Sequence, residues 1–291
     1  MSYRRRRLLP VTRHHDVGVI DAHQHCWSLT LPGHHWPGPE LPTIFRDYTP
    51  ADFHAAADPR VTGTVLVQSQ ATDADTDWLL EIASCEPMML GVVGWVDLAA
   101  ASAPARIATL AAHPKMRGLR PMLQCIEDTD WLLDEALVPA LEAVRDHGLR
   151  LDALAEPRHL PMLARFVDRW GDVPLVIDHG AKPFTTPGRL DKWALGVADL
   201  ADRGVHCKLS ALRVAGQDDA ALQPVVRHLV ERFGSRLMWG SDWPVLTLVG
   251  DDHGGWLDAA TRLSGLGGAA LADLMAGCAR RFYSLGEPAR G

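Results

Sequence analysis

The sequence is poor in features that mark several large protein classes. Its five cysteines are odd in number, scattered (Cys26, Cys85, Cys125, Cys207, Cys278) and never spaced Cys-x-x-Cys. That argues against a disulfide framework or a zinc knuckle and fits reduced thiols in a cytoplasm. No apolar run approaches the ~20 residues of a membrane span. The N-terminus shows no apolar segment followed by a small-residue cleavage site, so no membrane partner and no secretory signal are expected, and the expected location is cytoplasmic. Positive charge is not in excess: 29 Lys and Arg stand against 36 Asp and Glu, for a net charge of -7. Nothing in that balance calls for nucleic acid or an anionic surface as partner. The one basic run, Arg4 to Arg7, is expected to belong to a flexible, solvated tail over residues 1–16. Low-complexity linkers and composition breaks are also missing, so residues 17–291 are expected to form one domain.

Apolar runs and helical periodicities then alternate along the chain. Strand-like runs fall at 17–21, 61–68, 89–96, 116–120, 149–153, 175–178, 205–209 and 237–240. Helical spacing of apolar residues marks 75–84, 104–112, 134–147, 160–170, 190–201 and 220–233, with two further stretches near 255–266 and 269–283. Eight short, continuously apolar strands, each followed by a helix, read as parallel strands buried on both faces. The expected fold is an α/β single-domain (β/α)8 TIM barrel. A doubly wound open sheet is the rival, but it usually carries a Gly-rich turn after its first strand, and here His23-Gln24-His25 stands in that place. Residues 28–48, rich in Pro and Gly, form a long loop after strand one, of a length that usually lines or lids a site.

In a barrel the chemistry sits at the carboxyl ends of the strands. Side chains alternate along a strand, so His23 and His25 share a face and Gln24 takes the other. Two imidazoles on one face can hold one metal ion or one anion and its water. Alone, His-x-His is a weak signal, equally explained by two polar residues ending a strand. The other ends decide it: Gln68-Ser69-Gln70, Trp95-Val96-Asp97, Arg120-Pro121, Asp152 with Glu156 beyond, Asp178-His179 running to Lys182-Pro183, Lys208-Leu209-Ser210, and Ser241-Asp242-Trp243-Pro244. One such end is commonly a satisfied core polar group. Polar groups at nearly every end are hard to explain structurally.

Strand eight closes onto strand one, so His23, His25, His179 and Asp242 are expected near each other. A carboxylate among imidazoles is a natural general base for water. A divalent metal there would acidify the water and polarise a carbonyl. Without one, the histidines, Arg120 and Lys182 could polarise it. Each residue has a plainer alternative. His179 could bond a loop carbonyl, Arg120 could pair with Asp97 or Asp178, and Lys208 could be a salt-bridged core residue. The Trp residues are more often packing than recognition. Trp27 and Trp243 stand out by their places beside His25 and Asp242, where an aromatic floor suits a sugar ring.

These residues resemble the amidohydrolase superfamily, through His-x-His after strand one, a single His after strand six and Gly-Ser-Asp-Trp-Pro after strand eight. The fuller likeness is to its sugar-lactonase branch, which includes fuconolactonase, rhamnonolactonase and 2-pyrone-4,6-dicarboxylate lactonase. It extends from Ile20 to Tyr283. The resemblance implies a hydrolase opening a small sugar-acid lactone, with Asp242 deprotonating the water and His23, His25 and His179 holding a metal or facing the carbonyl. Arg120, Lys182 and Gln68 would touch substrate oxygens, and Trp27 and Trp243 would wall the pocket. Binuclear members bridge their ions with a carboxylated Lys at the end of strand four. Arg120 stands there, stays cationic and cannot bridge, so a two-metal site is rejected. One divalent ion held by His23, His25 and Asp242, zinc before others, and a metal-free site both stay open. So do the identity of the lactone and a homo-oligomeric state. The rival activity is a metal-dependent, non-oxidative decarboxylase of the same superfamily. Two departures fall outside the proposed catalytic set: Asp75 and Asp77 before Trp78, where the family often has Glu, and Cys278, where it often has Asn.

Overall fold

Continuous runs of Val, Ile, Leu and Met leave a strand no polar face, so each must be covered on both sides. The computed structural model, which describes residues 18–184, 188 and 190–286, solves this with a barrel. The expected tail, residues 1–16, lies outside the described residues. Among the described residues there are eight strands: β1 (Val19–Gln24), β2 (Val61–Val67), β3 (Met89–Gly94), β4 (Met116–Leu119), β5 (Arg150–Ala153), β6 (Leu175–Ile177), β7 (His206–Leu209) and β8 (Leu237–Trp239). They pair in sequence order, each parallel to the next. Closure comes from β8 returning to β1. Asp242 N donates to His23 O (2.8 Å) and His25 N donates to Trp243 O (2.8 Å). Gly240 permits that approach, because a Cβ there would stand 2.8 Å from the His23 Cβ and 3.0 Å from its backbone nitrogen. This is the (β/α)8 barrel expected.

The helices run as the periodicity predicts, within a few residues at each end: α2 (Asp73–Cys85), α3 (Ala103–Ala111), α4 (Val138–Asp146), α5 (Leu160–Arg169), α6 (Leu190–Asp202), α7 (Asp219–Phe233) and α8 (His253–Ser264). One helix escapes the periodicity reading. Helix α1 (Pro50–Ala56) has only seven residues and buries only Phe53. Its signal is at its start, where Thr49 and Asp52 form a reciprocal capping box before Pro50. The final stretch is also not one regular helix. Helices α9 (Gly268–Ala272) and α10 (Cys278–Phe282) flank a π turn over Asp273–Gly277, and the chain then delivers Tyr283 into the barrel. Residues 28–48 cross the carboxyl end as foreseen, and the Trp27–Tyr48 bridge anchors both ends of the loop.

At the start of β7, His206 packs against Phe282, with ring centroids 4.6 Å apart. Burial, then Arg236 and Arg281, hold its pKa down to about 4. The unfolded chain keeps a His near 6.5. Between those values the unfolded state binds the extra proton, so this His costs stability as pH falls from 6.5 toward 4, and has no effect above 7. His206→Phe is therefore expected to gain urea midpoint relative to wild type on going from pH 7 to pH 5. An equal difference at both pH values would refute this account.

Candidate active site

β1 extends further than its apolar run. It carries His23 inside the strand, with His25 just past its end. Both imidazoles turn to one side, while the Gln24 amide goes the other way and meets Met89 Sδ at 3.2 Å. The His23 and His25 Nε2 atoms stand 3.2 Å apart. The Asp242 carboxylate arrives from the end of β8, its Oδ1 lying 3.2 Å from His25 Nε2 and 3.5 Å from His23 Nε2. His179 completes the group from the turn after β6, with Nε2 3.8 Å from the same oxygen.

Backbone strain sets two of these side chains. Asp242 has φ 60°, and His179, Gly180, Ala181 and Lys182 form a left-handed run with φ between 50° and 57°. Such a conformation costs a non-glycine residue roughly 1–2 kcal/mol and needs surrounding contacts to hold it. For Asp242 those contacts come from Asp21. Its carboxylate accepts from Ser241 N (2.8 Å), Ser241 Oγ (2.6 Å), His23 N (3.1 Å) and His253 Nε2 (3.1 Å). Asp21 thus ties the first strand end to the last. For the His179 turn, Trp193 Nε1 donates to Gly180 O at 2.6 Å, and His179 Nδ1 meets Ser210 Oγ at 2.8 Å.

Behind His23 lies a buried ionic chain. Lys208 Nζ is 2.5 Å from Asp152 Oδ2, 3.0 Å from Asp178 Oδ1 and 3.0 Å from His23 Nδ1. Tyr283 donates its hydroxyl to Asp152 Oδ2 at 2.6 Å. Asp152, Asp178, Lys208, Tyr283 and His23 are all fully buried. Lys208 is therefore the salt-bridged core residue of the two readings weighed for it, and it also touches His23. Sequence reasoning gave Asp21 and Tyr283 no role, named Asp152 only as the polar end of strand five, and weighed Asp178 only as an ion-pair partner for Arg120, where the structure places it. Asp178 had a signal, as a carboxylate ending an apolar strand beside His179. Tyr283 had none, because its place depends on the irregular terminal helix.

Electrostatics follow from this packing. Burial, then the nearby Lys208 charge, lower the His23 pKa well below its usual value. Burial lowers His179 to about 4. Burial pushes the Asp242 carboxyl up, but His179, the His25 hydrogen bond and His23 outweigh it and hold it below the usual carboxylate range. At neutral pH the site is an ionised carboxylate facing neutral His23 and His179.

Two cavities meet on this carboxylate. One, of about 280 Å³, is lined by His25, His35, Trp36, Ser69, Arg120, Gln124 and Cys125 among others. The other, of about 400 Å³, is lined mainly by apolar side chains. His179, Lys182, Asp242 and Val245 border both. Arg120 is buried in the wall of the polar lobe. Its Nη1 is 3.6 Å from Asp178 Oδ2 and 3.5 Å from His23 Nε2, and its Nη2 donates to Gln68 O and Oε1. Gln68 in turn spends its amide nitrogen on Arg120 O (3.2 Å). Gln68 borders neither cavity, nor do Trp27 and Trp243. Trp27 packs on Trp36 and Tyr48 and donates Nε1 to Arg46 O at 2.7 Å, and Trp243 packs on Tyr48 and Phe53. The structure thus brings His23, His25, His179, Asp242, Arg120 and Lys182 together. It places Gln68, Trp27 and Trp243 one layer behind, and puts Trp36 where an aromatic wall was expected. The buried Asp75 accepts from Ser69 N (3.0 Å) and Gln70 N (3.3 Å), so it supports the same rim in the place where the family often has Glu.

The donor set suits one small, borderline-soft cation. His23, His25 and Asp242 offer ligand atoms within 4.8 Å of one another. Ligand atoms of a tetrahedral zinc at 2.0–2.1 Å stand roughly 3.4 Å apart, close to the 3.2 and 3.5 Å separations here. The His25 Nδ1 hydrogen bond to Val67 O (2.8 Å) fixes Nδ1–H and leaves the Nε2 lone pair facing the site. At His23 two neighbours compete. Asp178 Oδ1, 3.3 Å from Nδ1, favours the same tautomer, and the Lys208 ammonium favours the other. A cation at Nε2 tips that balance toward Nδ1–H.

Comparison with known proteins gives a consistent outcome. The amidohydrolase family model matches residues 20–285. An L-fucono-1,5-lactonase of Burkholderia ambifaria is 45% identical over 279 residues, covering 92% of this chain and 96% of that protein. An L-fucono-1,5-lactonase of Burkholderia multivorans is 32% identical, covering 93% and 97%. Among solved structures, an amidohydrolase from Burkholderia multivorans with bound zinc is 30% identical, with a TM-score of 0.85 over 92% of this chain and 100% of that one.

Proposed function

The chain belongs to the amidohydrolase family, and we propose that it is a sugar-lactone hydrolase in which Asp242 takes the proton of the attacking water. The observation that carries this reading is Asp242 Oδ1, placed beside three imidazole Nε2 atoms where two cavities meet. Water adds its oxygen to the lactone carbonyl carbon as Asp242 accepts a proton. The acyl–oxygen bond then breaks, and the ring oxygen leaves with a proton to give the open hydroxy acid. Lys182 borders both cavities and is partly buried. Burial lowers its pKa, which suits it to pass a proton to the leaving oxygen. Arg120, held by Gln68 and Asp178, faces the carbonyl and carboxylate oxygens. The hydrolases at 45% and 32% identity support lactone as the substrate class.

The 3.2 and 3.5 Å separations of the ligand atoms and the Nε2 lone pair that His25 turns to the site favour one divalent ion, zinc by preference, on His23, His25 and Asp242, with His179 at hand. A zinc ion at such a site supplies an acidified water and a polarised carbonyl. Protein purified without chelator is expected to carry about one zinc per chain by elemental analysis. Dialysis against dipicolinate is expected to remove it and lower lactonase activity at least tenfold, with recovery on adding zinc. Full activity in metal-free protein would remove the ion from this reading and leave Asp242 acting with Arg120 and Lys182 alone. The reaction itself is tested with a panel of aldono-1,4- and 1,5-lactones and a pH indicator. Acid release above background supports it, and no release from any of them refutes it. One domain over 17–291, a cytoplasmic setting and a small-molecule partner complete the proposal.

A further inference from the structure

The two lobes that share Asp242 differ in chemistry. The polar lobe, about 280 Å³, offers Ser69, Gln124, His35, Arg120 and Lys182. That is near the lower end of small-ligand sites, about 300–1,000 Å³, and accommodates a hydroxylated ring. The second lobe, about 400 Å³, presents Phe184, Leu212, Val214, Leu246, Leu248 and Val249. Apart from His179, Lys182 and Asp242, which it shares with the polar lobe, its polar groups are committed elsewhere. Arg213 pairs with Asp251 (2.8 Å) and Asp219 (2.9 Å), and Ser241 Oγ is turned onto Asp21. A hydroxyl entering this lobe would exchange water for few partners, whereas an aliphatic group would shed water at no polar cost.

In a 1,5-lactone, carbons 2, 3 and 4 carry hydroxyls. The carbon bonded to the ring oxygen carries only its exocyclic substituent. With the hydroxylated edge in the polar lobe and the carbonyl at Asp242, that carbon is the one left to face the apolar side. We propose that the apolar lobe binds an aliphatic chain on the carbon bearing the ring oxygen, and that the enzyme prefers lactones with such a chain to those with a methyl group there. This inference rests on the lactonase reading and deepens it. The reaction is the same hydrolysis, with one water added across the acyl–oxygen bond. The chain contributes binding alone, so the gain falls mainly on KM.

The test uses δ-lactones bearing methyl, propyl, pentyl or heptyl groups at carbon 5, beside an aldono-1,5-lactone, with the zinc-supplemented full chain. The expected kcat/KM rises about threefold to fourfold per methylene until the lobe is filled. Val214, 47% exposed at the lobe mouth, tolerates Val214→Asp, and Leu248→Trp fills the lobe from its side. Each is expected to lower the heptyl-to-methyl ratio of kcat/KM by at least about tenfold, a ratio that a general folding defect would not move. If the aldonolactone is opened but the alkyl series is flat or falling, this inference is overturned and the lactonase reading stands. A rising series left unchanged by both variants overturns it too, since the chain then lies elsewhere. Release from no lactone at all overturns both readings.

Discussion

Asp242→Asn is expected to lower kcat/KM for the best aldonolactone by about 10³–10⁴-fold while leaving the melting temperature within a few degrees of wild type. The rate effect follows from removing the proton acceptor, an interaction typically worth 10²–10⁴-fold, together with a ligand atom of the proposed ion. The small stability effect follows from the backbone. Asp242 sits at φ 60°, and Asn is among the few side chains that tolerate that region well. The isosteric amide also keeps the backbone bond from Asp242 N to His23 O. Asp242→Ala confounds the two effects, because it adds strain to the loss of chemistry. The measurement is steady-state kinetics beside a thermal melt. Activity within tenfold of wild type would remove Asp242 as the base.

The barrel was legible because its signal is periodic. Eight apolar runs bounded by polar ends admit few other closures, and β1 through β8 fall within a few residues of their expected places. The candidate site was legible for a related reason: strand ends are fixed by where apolar runs stop, so His23, His25, His179 and Asp242 could be brought together from the sequence alone. Layers behind that site were less legible. Gln68, Trp27 and Trp243 end strands just as Arg120 does, and sequence position alone does not say which end turns into a cavity and which turns under a neighbour. The loop over residues 28–48 decides this by placing Trp36 in the wall and packing Trp27 beneath it. Tyr283 was illegible because a π turn, which no 3.6-residue periodicity reports, sets where its ring enters the barrel. The two-lobed shape depends on side chains from the segments after seven of the eight strands, and no local pattern encodes it.

Lys208→Met is expected to be the most damaging single substitution away from the cavities. Met matches the length of the Lys stem and fills the same space, so the change isolates the charge. Asp152 and Asp178 would then be left fully buried, with their shared cation gone and only Tyr283, His23 and the more distant Arg120 nearby. Breaking a buried ion pair from one side costs about 3–5 kcal/mol. At roughly 2–4 °C per kcal/mol for a chain somewhat shorter than this one, the melting temperature is expected to fall by on the order of 10 °C. Burial raises the Asp152 carboxyl even with Lys208 beside it, so without Lys208 the folded state takes up a proton there that the unfolded state lacks at neutral pH. The variant's deficit is therefore expected to shrink as pH is lowered from 8 toward 5. Asp152→Asn added to Lys208→Met is expected to recover part of the lost stability, because the amide keeps the Tyr283 hydrogen bond without a charge to neutralise. A double-mutant cycle from urea midpoints measures that coupling. Additive losses would mean that Lys208 and Asp152 do not act as a pair, and that the buried chain behind His23 is held together chiefly by Asp178.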